Sequence, residues 1–156
     1  PERSGRPRRE AGVSGTLLVV AGAFVRDGRL LLARRPDGDP LSGFWELPGG
    51  KVEADETPEE ALGREWREEL GADVLAAAPF AFASGAPNGR HVTLLVYLVR
   101  AVSAEPSPLG VAEVRWTLPA EATALRLLPA DRPVVEQLAR GGDGRVVPAE
   151  PIGAVP

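Results

Sequence analysis

Residues 50–72 read GKVEADETPEEALGREWREELGA, a segment bounded by glycines with a helix inside it. Thr57 can cap that helix, Pro58 suits its first position, and Glu60 completes a capping box. Gly71 is placed to stop it. Leu62, Trp66 and Leu70 recur at i, i+4 and i+8, an apolar row that faces a core. Glu65, Glu68 and Glu69 fall at i, i+3 and i+4, so three carboxylates share neighbouring turns of one face. At 100° per residue, Glu69 lies only about 20° around the helix from Leu62, and Glu65 about 60°. These acids border the buried stripe instead of pointing away from it. Like charges that are partly dehydrated repel one another, and a hard divalent cation with oxygen ligands relieves that repulsion. The competing reading is a solvated acidic face with Glu60–Arg64 and Arg64–Glu68 pairs. Gly63 is out of place in a helix interior, where it costs up to ~1 kcal/mol against alanine. Close packing is the one reason for it that the sequence offers.

The rest of the chain bounds the possibilities. Its 156 residues suit one domain with one core. There is no cysteine, hence no disulfide framework and no thiolate metal site. His91 is the only histidine and Lys51 the only lysine. A net charge of −4 argues against general nucleic-acid binding. Arg3, Arg6, Arg8 and Arg9 ahead of the apolar run Leu17–Val25 imitate a secretory signal. That run flows into Asp27-Gly28, a hairpin signal, and reads better as a first strand paired with Arg29–Ala33. No apolar run approaches the ~20 residues that span a membrane, and the expected location is cytoplasmic.

Residues 1–15 are expected to form a basic tail, 16–140 the domain, and 141–156 a second Gly/Pro-rich tail. Phe44–Leu47 reads as a short strand that Pro48-Gly49-Gly50 breaks. Val74–Ala83, His91–Val99 and Val111–Leu118 read as further strands, and Asp131–Arg140 as a last helix with Asp131 at its N-cap. The order of elements suggests an α+β domain, a mixed sheet covered by helices.

The spacing of Gly50, Glu56, Arg64, Glu65, Glu68, Glu69 and Gly71, with bulky Trp66, resembles the signature of the Nudix hydrolase family. A chance match of all seven fixed positions in a chain this long is expected roughly once in a million. The family usually places another bulky aliphatic residue where this chain has Ala72. The segments LARR (32–35), GFWELPGGKVE (43–53), GRHVTL (89–94) and LPADRPVV (128–135) are similar to the MutT-type branch, which holds an oxidised-guanine nucleotide hydrolase and a CTP pyrophosphohydrolase.

The resemblance implies an α/β/α sandwich with a mixed central sheet, and a magnesium-dependent enzyme in which manganese can substitute. It implies metal ligation by Glu65, Glu68, Glu69 and the Gly49 carbonyl. Arg64 would orient Glu65, Glu56 would brace the loop, and Gly50 and Gly71 would be structural. Glu65 or Glu68 would be the general base. Arg35, Lys51 and Arg90 are the expected phosphate contacts, and Leu47 and Asp131 the expected base contacts, with Phe44 a further candidate wall and Trp45 a candidate for the core. An ionised Asp131 accepts hydrogen bonds and suits an amino edge such as cytosine N4; a protonated one would suit an oxidised guanine. Glu113 is a poorly placed further ligand.

The implied reaction converts a nucleoside triphosphate, 8-oxo-dGTP or (d)CTP, to the monophosphate and pyrophosphate, a nucleotide-pool sanitation role tied to DNA repair. The alternatives are an ADP-ribose or sugar-nucleotide pyrophosphatase and a catalytically silent ligand sensor. Expected partners are a small nucleotide, no stable nucleic acid and no membrane, with the chain a monomer or homodimer.

Overall fold

A computed structural model describes residues 15–141. The two segments expected as tails therefore lie outside the described residues, apart from Gly15 and Gly141. Strand β1 (Leu17–Arg26) turns into β2 (Arg29–Arg34) through Asp27 and Gly28, whose φ angles of 52° and 75° are those of a two-residue type I′ hairpin. The run that imitates a secretory signal is thus a paired strand. Then follow β3 (Trp45–Glu46), β4 (Gly49–Lys51), α1 (Pro58–Leu70), β5 (Val74–Gly85), β6 (Val92–Val102), β7 (Glu113–Thr117), α2 (Pro119–Ala122) and α3 (Arg132–Arg140). Among these helices none is long and apolar enough to cross a membrane.

The strands order as β3-β2-β1-β6-β5, with β4 also on β1 and β7 on β2. β1 and β6 run parallel and the other pairs antiparallel, so the sheet is mixed as expected. Side chains alternate across it. Ala21, Ala23, Leu30, Leu32, Leu94 and Val96 meet Val134, Val135 and Leu138 of α3 on one face. Val20, Phe24, Leu31, Ala33 and Val99 meet Leu62, Trp66 and Leu70 of α1 on the other. Two cores on opposite faces make the α/β/α sandwich.

Helix α1 carries the capping box and the Pro start that its sequence prescribes, and Gly71 ends it at φ 65°. Trp66 is fully buried. Its indole N–H donates to the Pro48 carbonyl at 2.9 Å, and the Gly22 N–H donates to the same oxygen at 2.9 Å. A Cβ at Gly22 would lie 2.7 Å from the Trp66 ring and from Val99. That glycine makes room for the tryptophan, which in turn fixes α1 against the Pro48 bend.

Two local readings need correction. The short strand does break at Pro48, but Gly49-Gly50 is not part of the break: it begins β4, pairing with Val20 and Ala21 of β1. A Cβ at Gly49 would overlap the Val20 carbonyl oxygen, so what looks like a breaker is the residue that permits the close approach. Gly63 is not closely packed. A Cβ there would meet only the mobile end of Arg67, at 3.5 Å.

Candidate active site

Arg64 organises the segment ahead of α1. It grips Glu56 with Nε and Nη2 at 2.9 and 2.7 Å, donates to the Lys51 carbonyl at 2.9 Å, and reaches Glu65 Oε1 with Nη1 at 2.8 Å. Glu56 also accepts the Glu53 N–H at 2.9 Å. The Arg64 hydrogen bonds hold the Glu56 carboxyl down at about 2. Glu56 therefore braces the loop against the helix, and Arg64 orients Glu65. The Glu65 carboxylate fills the space that a side chain at Gly50 would need. Glu60 is committed to the capping box instead of pairing with Arg64.

A cavity of about 310 Å³ opens on the α3 side of the sheet and meets the Glu65 and Glu69 side of α1 across the Gly49-Gly50 strand. Its polar lining is Arg35, Glu46, Lys51, Glu65, Glu69 and Asp131, and Leu47, Leu94 and Leu128 are among its apolar residues. Gly49 and Gly50 supply backbone to the wall between them. The acids are unusually enclosed. Glu69 Oε2 is sealed from solvent and has no hydrogen-bond partner. Burial, with the nearby Glu46 and Glu65 charges, pushes the Glu69 carboxyl up to about 8. Burial likewise raises Glu46 to about 7, opposed by Arg35, whose Nη1 lies 3.2 Å from both its oxygens. Asp131 is 4% exposed, and burial followed by the Glu46 charge raises it well above the usual carboxylate range.

Asp131 stands at the N-cap position of α3 as expected, but its side chain does not cap the helix; its Oδ1 accepts the Leu47 N–H at 2.9 Å. The cause is a ladder. On the outer edge of β3 the Trp45 N–H donates to the Arg126 carbonyl, and the Leu128 N–H donates to the Trp45 carbonyl. Leu47 is the next outward donor on that edge, and the carboxylate takes the place of a strand carbonyl. Asp131 also lines the cavity.

The structure gathers Arg35, Leu47, Gly49, Gly50, Lys51, Glu65, Glu69 and Asp131 at the cavity. It does not bring Arg90 there; Arg90 is exposed beyond the turn Pro87–Gly89. Glu68 also lies outside the lining, with a 60% exposed side chain 3.5 Å from Arg64. Among the described residues no group of three acidic or histidine side chains is gathered as a ready cation cage; Arg64 Nη1 holds Glu65 at 2.8 Å and lies 3.5 Å from Glu68. Phe44 is not in the lining; the Arg126 guanidinium covers its ring at 4.0 Å. Trp45 belongs to the core. Glu113 is engaged by Arg34 and Arg115 at 3.3 Å each.

Sequence reasoning missed Glu46, Asp39 and Leu41. Glu46 had a signal: an acid inside the apolar strand Phe44–Leu47, where a charge needs a reason.

Two observations fit a divalent cation here. A buried Glu69 oxygen lacks any partner, and the missing side chain of Gly50 leaves room for the Glu65 carboxylate at the same cavity. Oxygen donors of this kind suit magnesium or manganese.

Comparison with known proteins agrees with this geometry. A Nudix domain profile matches residues 16–138. The CTP pyrophosphohydrolase of Escherichia coli K12 is 38% identical over 118 residues, 76% of this chain and 87% of that protein. The 8-oxo-dGTP diphosphatase of Haemophilus influenzae is 31% identical over 124 residues, 78% and 91% of the two chains. A crystal structure of a MutT Nudix hydrolase from Burkholderia pseudomallei superposes with a TM-score of 0.71 at 35% identity, covering 80% of this chain and 98% of the other. With the domain profile spanning most of the chain and relatives more than 30% identical along most of their own length, the chain belongs to the Nudix hydrolase family.

Proposed function

We propose that the protein hydrolyses a nucleoside triphosphate to the monophosphate and pyrophosphate, with magnesium as the working cation and manganese able to replace it. The observation that carries the reading is Glu69 Oε2, buried at the cavity and without a partner. Glu65, Glu69 and the Gly49 carbonyl would hold the cation, joined by Glu68 once it turns from Arg64. A bound divalent cation would supply charge neutralisation on the phosphates and acidify an attacking water.

The chain's own residues do the rest. Arg64 keeps Glu65 from swinging. Glu68, exposed and in only loose contact with Arg64, is free to turn toward the cavity and accept the proton of the attacking water. Arg35 and Lys51 bind phosphate oxygens; the planar guanidinium can do so through two parallel bonds. Leu47 and the sheet residues offer an apolar surface to a base. Glu46 and Asp131, both raised by burial, can donate as well as accept hydrogen bonds. Such a pair suits a base edge that mixes donors and acceptors, as oxidised guanine and cytosine do, and supports 8-oxo-dGTP or CTP as substrate and a sanitation role. The names of the relatives favour triphosphates over ADP-ribose.

A panel of 8-oxo-dGTP, dGTP, CTP, dCTP and ADP-ribose with magnesium tests the proposal. Pyrophosphate release from a triphosphate, fastest with 8-oxo-dGTP or a cytosine nucleotide, is expected. Turnover of ADP-ribose alone would overturn it.

A further inference from the structure

Arg35 and Leu41 reach the cavity from one loop, and a single side chain outside the lining holds both. Asp39 Oδ1 accepts Arg35 Nε at 3.0 Å, and Oδ2 accepts Arg35 Nη2 at 2.7 Å. The same Oδ1 accepts the Leu41 N–H at 2.8 Å. The loop carries turns of its own, with the Ser42 N–H on the Asp39 carbonyl at 2.9 Å and the Phe44 N–H on the Leu41 carbonyl at 3.2 Å, but none of these bonds reaches the Arg35 guanidinium. Gly38 and Gly43 sit at φ 85° and 82°, and the Arg35 N–H closes its base on the Phe44 carbonyl at 2.9 Å. Arg35 stands between two carboxylates, Asp39 and Glu46. The paired grip of Asp39 on one edge of the guanidinium turns Nη1 toward Glu46 and the cavity.

We propose that Asp39 is a positioning residue for the phosphorylated substrate, setting the Arg35 guanidinium and the Leu41 rim together. The proposal rests on the phosphate role given to Arg35 above. Its sign is informative. A carboxylate near a polyphosphate is by itself repulsive, so any benefit from Asp39 must pass through the groups that it orients. Removing it should hurt binding when Arg35 is present and should not when Arg35 is gone.

The test compares wild type with Asp39→Ala, Asp39→Asn, Arg35→Ala and the double variant Arg35→Ala/Asp39→Ala. kcat and KM are measured for the triphosphate that the wild type turns over fastest, with magnesium, beside melting temperatures. Asp39→Ala is expected to raise KM roughly tenfold while kcat stays within about threefold, since a misplaced binding group loses ground-state and transition-state contact alike. Asp39→Asn, which retains an acceptor for the Leu41 N–H, is expected to fall between. The double variant is expected to have a KM no higher than Arg35→Ala alone.

An unchanged KM in Asp39→Ala overturns the proposal, whether or not the melting temperature falls. So does the same tenfold loss repeated in the Arg35→Ala background. If Asp39→Ala does not fold, an unchanged KM in Asp39→Asn overturns it equally. If the wild type hydrolyses no triphosphate, the function proposed above fails on its own. Affinity for magnesium pyrophosphate by calorimetry then serves as the readout, and a loss below twofold in Asp39→Ala overturns the positioning role.

Discussion

Replacing Glu69 with glutamine should make the metal-free protein more stable and the enzyme nearly inactive. The carboxyl titrates at about 8 in the fold against an ordinary 4.5. A raised acid contributes its full stability below the unfolded value and loses it as pH rises through the folded one. At pH 7.5 the gap between the two values amounts to roughly 3–4 kcal/mol of destabilisation, at ~1.4 kcal/mol per unit. Residual hydration of the side chain reduces this to about 3 kcal/mol, because partly wet charges are screened. The glutamine amide replaces an oxygen that has no partner, and an unpaired amide costs ~1 kcal/mol in return. The net expectation is a gain of about 2 kcal/mol, or roughly 5–10 °C in melting temperature.

The assay is thermal unfolding of wild type and Glu69→Gln in EDTA at pH 7.5 and again at pH 4.5. The gain should be present at the higher pH and vanish or reverse at the lower, where the carboxyl is substantially protonated in the unfolded chain as well and its burial costs little proton uptake. Turnover with magnesium should fall at least ~100-fold, as for loss of a charged group acting on the reaction centre. A variant that melts below wild type in EDTA at pH 7.5 refutes the reasoning, since Glu69 would then be making stabilising bonds in the metal-free fold.

Three further outcomes are expected. Asp131→Asn should change the ranking of base preference with little change in cleavage products, because the amide oxygen can still accept the Leu47 N–H; an unchanged ranking with a lower melting temperature would leave Asp131 a purely structural residue. Gly63→Ala should stabilise by about 0.5–1 kcal/mol in denaturant titration, since the new methyl meets only the end of Arg67; a loss of stability would show that the helix needs that gap. Gly22→Ala should cost roughly 1–3 kcal/mol by pressing on Trp66 and Val99, and a neutral result in the same titration would show that the tryptophan can move aside.

Helix α1 was legible because its determinants are local. Thr57, Pro58, Glu60 and Gly71 act within a turn of where they stand, and the Leu62–Trp66–Leu70 row needs only the helical period. The hairpin at Asp27-Gly28 was legible for the same reason. Gly49 as a breaker and Asp131 as a side-chain cap were misread because their roles are set by distant chain. Gly49 lies against Val20 of β1, and Asp131 answers a backbone donor 84 positions away. Local preference sees a breaker in the first and a cap in the second. The acids of the motif were placed correctly beside the buried stripe, and Arg64 as the partner of Glu65 and Glu68 was foreseen. The spacing could not show that Arg64 leaves Glu69 as the one with an unmatched oxygen. Glu46 and Asp39 enter the site through a strand and a loop whose positions only the assembled sheet defines.

The central claim is that these carboxylates serve a cation-dependent cleavage that releases pyrophosphate. Phosphorus NMR of the products from 8-oxo-dGTP and CTP, with magnesium and with EDTA, tests it most directly. The account predicts nucleoside monophosphate and pyrophosphate with magnesium, no turnover in EDTA, and loss of both products in Glu69→Gln. Release of orthophosphate, or undiminished turnover in EDTA, would contradict it.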